Sequence, residues 1–161
     1  MKNFSRFYFL ILTILFSCEP QNKDFKLEDV KAFINRSNKI YNERYLVNDI
    51  NITNQKYCKD ACIMPTKSPK ICGTPGISVH YFNYGKNHDL NIEVVAKNIY
   101  GGPVYVNEEG VYKIDDKNGK TLDVGKFIAI WKQENKSWKL YREIWNTDID
   151  STNLLSSYYF E

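Results

Sequence analysis

Three tryptophans, Trp131, Trp138 and Trp145, fall seven residues apart in the run 125–148, GKFIAIWKQENKSWKLYREIWNTD. Seven is the spacing of a helical heptad, but the residues between them are not helical in character. They are rich in Ile, Tyr and Phe, and the polar run QENK at 133–136 interrupts them. β-Branched and aromatic runs on both sides of a short polar break specify a β-hairpin. Side chains alternate with period two along a strand, so the register decides which residues share a face. With 133–136 as the loop, Trp131 faces Trp138; with Asn135-Lys136 alone, Trp131 faces Leu140. Both registers put Phe127, Ala129, Trp131, Trp138, Leu140, Arg142, Ile144 and Asn146 on one face. The other holds Lys126, Ile128, Ile130, Lys132, Lys139, Tyr141, Glu143 and Trp145. The expectation is that Trp131 and Trp138 are core, and that Trp145 lies on an opposite, half-apolar face suited to a partner. Arg142 is the single charge on the apolar face. A guanidinium placed there needs a partner, because its desolvation is otherwise costly. Glu108 and Tyr112, which share one face of the preceding strand, are candidates, as are Asp60 and Asp123. The cluster reads either as a structural salt bridge or as the polar floor of a ligand pocket, with Asn146 beyond Arg142.

That hairpin closes a series of four strand-like runs starting at Leu90. Gly101-Gly102 joins the first two, DDKNGK the next two and QENK the last two, with Asn118-Gly119 a strong hairpin signal. Upstream, Leu27, Val30, Phe33, Ile34, Ile40, Tyr41 and Tyr45 recur at spacings of three and four, which predicts an amphipathic helix over 26–47. NDINITNQKYCKDA predicts a short second helix, weakened by asparagines and β-branched residues. CIMP is a brief extended piece halted by Pro65, TKSPKICGTPG is loop, and GISVHYFNYG fits a third short helix with Ile77 and Tyr81 on one side. SSYYFE at the end can add a short edge strand. Helices first and an antiparallel meander after is an α+β layout.

The amino-terminal MKNFSRFYFLILTILFSC has the form of a secretory signal: Lys2 and Arg6, then an apolar stretch too short for an ordinary spanning helix. Its LFSC ending resembles a bacterial lipobox. The resemblance implies cleavage before Cys18, lipidation of its sulfur, and an envelope protein held on a membrane and facing the periplasm or exterior. Residues 1–17 are then the signal, 18–25 a polar tether, 26–148 one domain and 149–161 a tail. Losing Lys2 and Arg6 lowers the formal charge from +3 to +1. No basic block remains of the kind a phosphate backbone requires, so nucleic acid is not an expected partner.

Three cysteines remain, Cys58, Cys62 and Cys72. A Cys62–Cys72 or Cys58–Cys72 disulfide can staple the intervening loop. The spacing is poor for zinc, with His80 the nearest fourth ligand, so no metal and no cofactor is expected.

YCKDACIMP, IYGGPVYVNEEGVYKI and GKTLDVGKFIAIWKQENKSWKLYREIWNTD resemble the SnoaL-like, ketosteroid-isomerase-like branch of the nuclear transport factor 2 superfamily, and its widespread subfamily of unknown function. The marks are Asp60-Ala61 leading to Pro65, the Glu108-x-Gly110-x-Tyr112 strand, Asp123-x-Gly125-Lys126, and Trp131 to Trp138 ending in REIWN. The resemblance implies a cone in which a curved antiparallel sheet wraps about three helices around a pocket. It also implies a homodimer through the convex sheet face. Where the isomerase branch carries its aspartate base, a few residues after the Asp-Ala pair, this chain has Pro65, which cannot move a proton, so that mechanism is not carried over. Remaining acids are Asp60, Glu108 and Asp123, with Tyr45 or Tyr112 as donors. His80 and His88 are the only imidazoles. Three functions stay open: a lipid-anchored module binding a small apolar ligand, a lipoprotein enzyme of isomerase, dehydratase or hydrolase type, and a structural envelope protein with a filled cone.

Overall fold

The computed structural model describes residues 25–44, 50–85 and 90–149. The signal segment, Cys18, Tyr45, His88 and the SSYYFE run lie outside the described residues. The chain runs α1 (Leu27–Arg44), α2 (Ile50–Lys56), β1 (Tyr57–Met64), β2 (Ile71–Cys72), α3 (Thr74–Gly85), β3 (Leu90–Gly101), β4 (Tyr105–Asp116), β5 (Thr121–Glu134) and β6 (Ser137–Thr147). The strands form one unclosed six-stranded sheet in the order β2-β1-β6-β5-β4-β3. The meander β3 to β6 is antiparallel throughout. Its Asn118-Gly119 turn is closed by Asp116, whose carboxylate accepts from the backbone N–H groups of Asn118 and Lys120, and Gly119 has the positive φ of 80° such a turn demands.

Two features depart strongly from the sequence reading; a smaller one is that Ile71–Cys72, read as loop, pairs with β1 as β2, and α3 starts at Thr74 in the same stretch. Residues 57–61, expected to continue the second helix, are strand, and β1 pairs parallel with β6 rather than extending an antiparallel meander. Tyr57, Cys58, Ala61 and Ile63 are all buried by that pairing. Burial of these four side chains and a ladder partner in β6 outweigh the weak local helical preference.

The second departure is a β-bulge. The β5–β6 loop is Asn135-Lys136, both in the left-handed region (φ 53° and 64°), so Gln133 pairs with Trp138 and Trp131 with Leu140. The next pair is Ile130 with Arg142, so Tyr141 is the extra residue. Beyond a bulge the two faces of a strand exchange. Glu143 therefore lies opposite Ala129 and Trp145 opposite Phe127, on the inner face. Arg142, Ile144 and Asn146 pair with Ile130, Ile128 and Lys126 on the outer face. Trp145 is thus not on the convex surface, and Arg142 is not trapped in an apolar concavity. The Arg142 guanidinium sits 3.6 Å from the Tyr141 ring centroid and donates to the backbone carbonyls of Asp60 and Tyr141, which meets its need for partners.

Helices α1 and α3 cover the inner face. Val30 and Ile34 of α1 and Ile77 of α3 are buried against Trp131, Leu140, Val106, Phe127 and Ala129 in one core. Phe33 meets Trp131 edge-on at 6.1 Å, and Trp138, half-buried, packs on Phe25 at 6.2 Å. A Cys62–Cys72 disulfide ties β1 to β2, where the two residues pair. Cys58 is a buried free thiol pushed up to about 11, first by burial.

Candidate functional site

A cavity opens where α3, the β1–β2 loop and the ends of the long strands meet. Its volume is about 510 Å³. Ile92, Val94, Ile114, Phe127 and Trp145 line it from the sheet, His80, Tyr81 and Tyr84 from α3, and Pro65, Thr66 and Ser68 from the loop after β1. The wall is therefore mainly apolar and aromatic, as in small-molecule sites generally.

Two polar clusters interrupt that wall. In the first, the Glu143 carboxylate of β6 accepts from the Tyr57 hydroxyl at 2.6 Å and, at 3.5 Å, from the Tyr81 hydroxyl, while the two phenol oxygens lie 3.0 Å apart. Tyr81 stacks on Trp145 with centroids 6.4 Å apart and planes 19° from parallel. His80 lies against both rings, and burial lowers its imidazole below the ordinary value, holding it toward the neutral form.

In the second cluster Asp123 of β5 accepts from the Tyr112 hydroxyl at 3.0 Å, the Thr147 hydroxyl at 2.5 Å and the Val124 N–H at 2.9 Å. Burial is the main cause, and Asp123 the next, that raises the Tyr112 phenol far above its ordinary range, so it remains a donor. Gly125 makes this geometry possible. A Cβ there would strike the Asn146 carbonyl and come within 2.8 Å of the Tyr112 ring and hydroxyl. Gly110 does the same for Phe127, whose ring would lie 2.5 Å from an added Cβ.

Of the seven pocket residues named from sequence, Tyr112 and Asp123 line the cavity. Glu108 is buried on the inner face but at the other end, where it accepts from Asn38 at 2.5 Å and from the Trp131 indole at 2.7 Å. Its carboxyl is raised above the ordinary value because burial outweighs those two hydrogen bonds and nearby Lys56. Asp60 is exposed and ion-paired to Lys132 at 3.7 Å. Arg142 and Asn146 are on the outer face, and Tyr45 lies outside the described residues. Sequence reasoning missed Glu143, Tyr81, Trp145, Thr147 and Tyr57. The signal available was the cost of an inward guanidinium, which a one-residue slip relieves.

The ligand atoms of Cys58, Asp60 and Glu134 lie within 4.8 Å of one another. Lys132 and Lys139 already pair with the two acids, so this group reads as a surface ion-pair cluster over a buried thiol.

No family model matches the chain, and no curated protein matches it in sequence. Solved structures do match it in shape. A nuclear transport factor 2-like superfamily protein from Salmonella enterica superposes with a TM-score of 0.64 at 14% identity, over 83% of this chain and all of that one. The fold is the nuclear transport factor 2-like cone. A protein of the same fold from Novosphingobium aromaticivorans gives 0.67 at 9% identity, over 78% of this chain and 86% of the other. A candidate dehydratase of that family from Streptomyces avermitilis gives 0.63 at 9% identity, over 78% of this chain and 100% of its own. Within the nuclear transport factor 2-like fold the described cavity is the interior of the cone, between α3 and the curved sheet.

Proposed function

We propose that this chain is a lipid-anchored envelope protein whose cone binds a small, largely apolar ligand. The observation that carries this reading is the cavity of about 510 Å³, walled by aromatic side chains and holding a polar cluster towards each end. It also favours a binding module over a structural protein with a filled cone. Titration of the protein with neutral aromatic alcohols, followed by tryptophan fluorescence, tests it. A saturable change is expected in the wild type, lost in Val94→Trp, which fills the cavity. No saturable change in the wild type dismisses the reading.

The anchor and the dimer belong to the same proposal. Cys18→Ser is expected to abolish metabolic labelling with a fatty acid and release the protein from membranes; labelling that persists removes the anchor. The convex patch that would pair two copies now centres on exposed Ile128 and Ile144 rather than Trp145. Ile144→Glu is expected to halve the mass seen by light scattering, and a monomeric wild type discards the dimer.

A second reading has one observation behind it. Glu143, held by two phenols inside the cavity, has the donors and the setting of a general acid or base, as an isomerase or dehydratase requires. Glu143→Gln then abolishes turnover of a cone-bound substrate while ligand binding survives.

A further inference from the structure

The proposed binding function leaves the chemical class of the ligand open, and the charge distribution of the cone narrows it. The cavity lining contains two carboxylates, Glu143 and Asp123, and no lysine or arginine among the described residues. Its one imidazole, His80, is held toward neutral by burial. Behind the wall lies Lys56, whose charge acts on both Glu143 and Glu108; Lys126, near the other end, is paired with Asp148. One ammonium thus faces three carboxylates, counting Glu108 and Asp123, and the raised Glu108 carboxyl removes at most one of them. The interior is therefore net negative in either protonation state of Glu108.

The walls add a second, independent preference. Tyr81, Trp145, Tyr84, Tyr112 and Phe127 line the cavity. Aromatic faces attract cations, more strongly when water is excluded. Carboxylates in a partly buried space attract an opposite charge more strongly than they do in bulk water and repel a like one. Asp123 already accepts three hydrogen bonds and acts mainly through its charge, whereas Glu143 takes both phenol contacts, at 2.6 and 3.5 Å, on one oxygen, Oε2. The longer of these is the contact a stronger donor displaces.

Resting on that binding reading, we infer that the ligand of this cone is an organic cation: an amine carried on an apolar or aromatic body, with its ammonium group at Glu143 and with Asp123, six residues along β5 from the Ala129 that pairs with Glu143, adding to the negative field. The cavity and its rings make the site, and the two carboxylates set its sign. An anionic ligand, such as a fatty acid, is disfavoured by the same arrangement.

Three probes of one shape test this: 2-(2-naphthyl)ethylamine, 2-(2-naphthyl)ethanol and 2-naphthylacetate, titrated calorimetrically into the full-length protein at neutral pH. The amine is expected to bind about tenfold more tightly than the alcohol, with the carboxylate weakest. Raising the salt concentration is expected to weaken the amine and leave the alcohol unchanged. Glu143→Gln and Asp123→Asn are each expected to reduce amine affinity several-fold with little effect on the alcohol. Equal binding of amine and alcohol, or tighter binding of the carboxylate, overturns the cation assignment while leaving cone binding intact. A preference for the amine that survives both substitutions and high salt overturns it as well, by placing the amine elsewhere. Failure of all three probes to bind overturns cone binding itself, and this inference with it.

Discussion

Each end of the inner sheet face pairs an indole with a glutamate, and the two ends have opposite fates. At one end the Trp131 indole donates to Glu108, Asn38 of α1 completes that carboxylate, and Phe33 closes over the ring. Trp131 is 1% exposed and Glu108 likewise. At the other end Trp145 and Glu143 are only partly buried, and about 510 Å³ of space lies over them. The chemistry is similar, and the covering helix differs. Long α1 fills its end with side chains, whereas α3 lays Tyr81 and His80 against Trp145 and leaves the centre open. A matched indole and carboxylate therefore act as scaffold where the covering helix buries them and as the wall of a cavity where it does not.

Substitutions at the two ends should separate these roles. Trp131→Ala is expected to cost about 3–5 kcal/mol in chemical denaturation, because it leaves a cavity and strands a buried carboxylate. Trp145→Ala should cost about 1 kcal/mol, since it enlarges space already present, yet abolish ligand binding. Equal losses for the two would break the comparison. Next in size, replacing Cys62 and Cys72 with serine frees a loop of separation 10 and should cost about 3 kcal/mol. Because Pro65, Thr66 and Ser68 sit in that loop and line the cavity, hydrogen exchange should speed up there and not in α1.

Glu108→Gln is expected to cost about 1–3 kcal/mol, because its amide must turn a donor toward Asn38 or Trp131. It also tests the pH dependence. Burial raises the Glu108 carboxyl above its ordinary 4.5, so the folded protein holds this proton more tightly than the unfolded chain. The contribution of Glu108 to stability is therefore greatest at low pH and declines as pH rises from 4.5 through the raised value. Denaturant titrations across this weakly acid range should show that decline in the wild type and lack it in Glu108→Gln. Smallest of all, Glu143→Gln should change stability by less than about 1 kcal/mol, since the amide oxygen still accepts from Tyr57. A large loss would make the open end a structural one.

The sheet end that packs most fully was also the more legible. There, Trp131 in the core, the first helix and the alternation along β5 follow from period; at the open end only the Asn118-Gly119 turn and the face of α3 bearing Ile77 were legible in the same way. The open end was misread because a single extra residue, Tyr141, shifts everything after it by one. A bulge has no local signature, and nothing near Tyr141 marks it. Only the energetic awkwardness of Arg142 among apolar neighbours pointed that way, together with an indole two residues past an acid that suits two phenols. The β1 strand was missed for another reason. Its identity depends on a parallel partner far along the chain, and short-range propensity holds no record of such a contact.

That long-range contact has a consequence for how the molecule comes to exist. Tyr57 and Glu143, hydrogen-bonded in the finished protein, are 86 positions apart, and β1 joins the meander only through β6, the last of the described strands. A nascent chain that has not yet delivered β6 holds β1 with an open edge, and it has three nearby thiols, only two of which belong together. The central meander can form early from neighbouring hairpins, while the cavity beside α3 is the last thing to close.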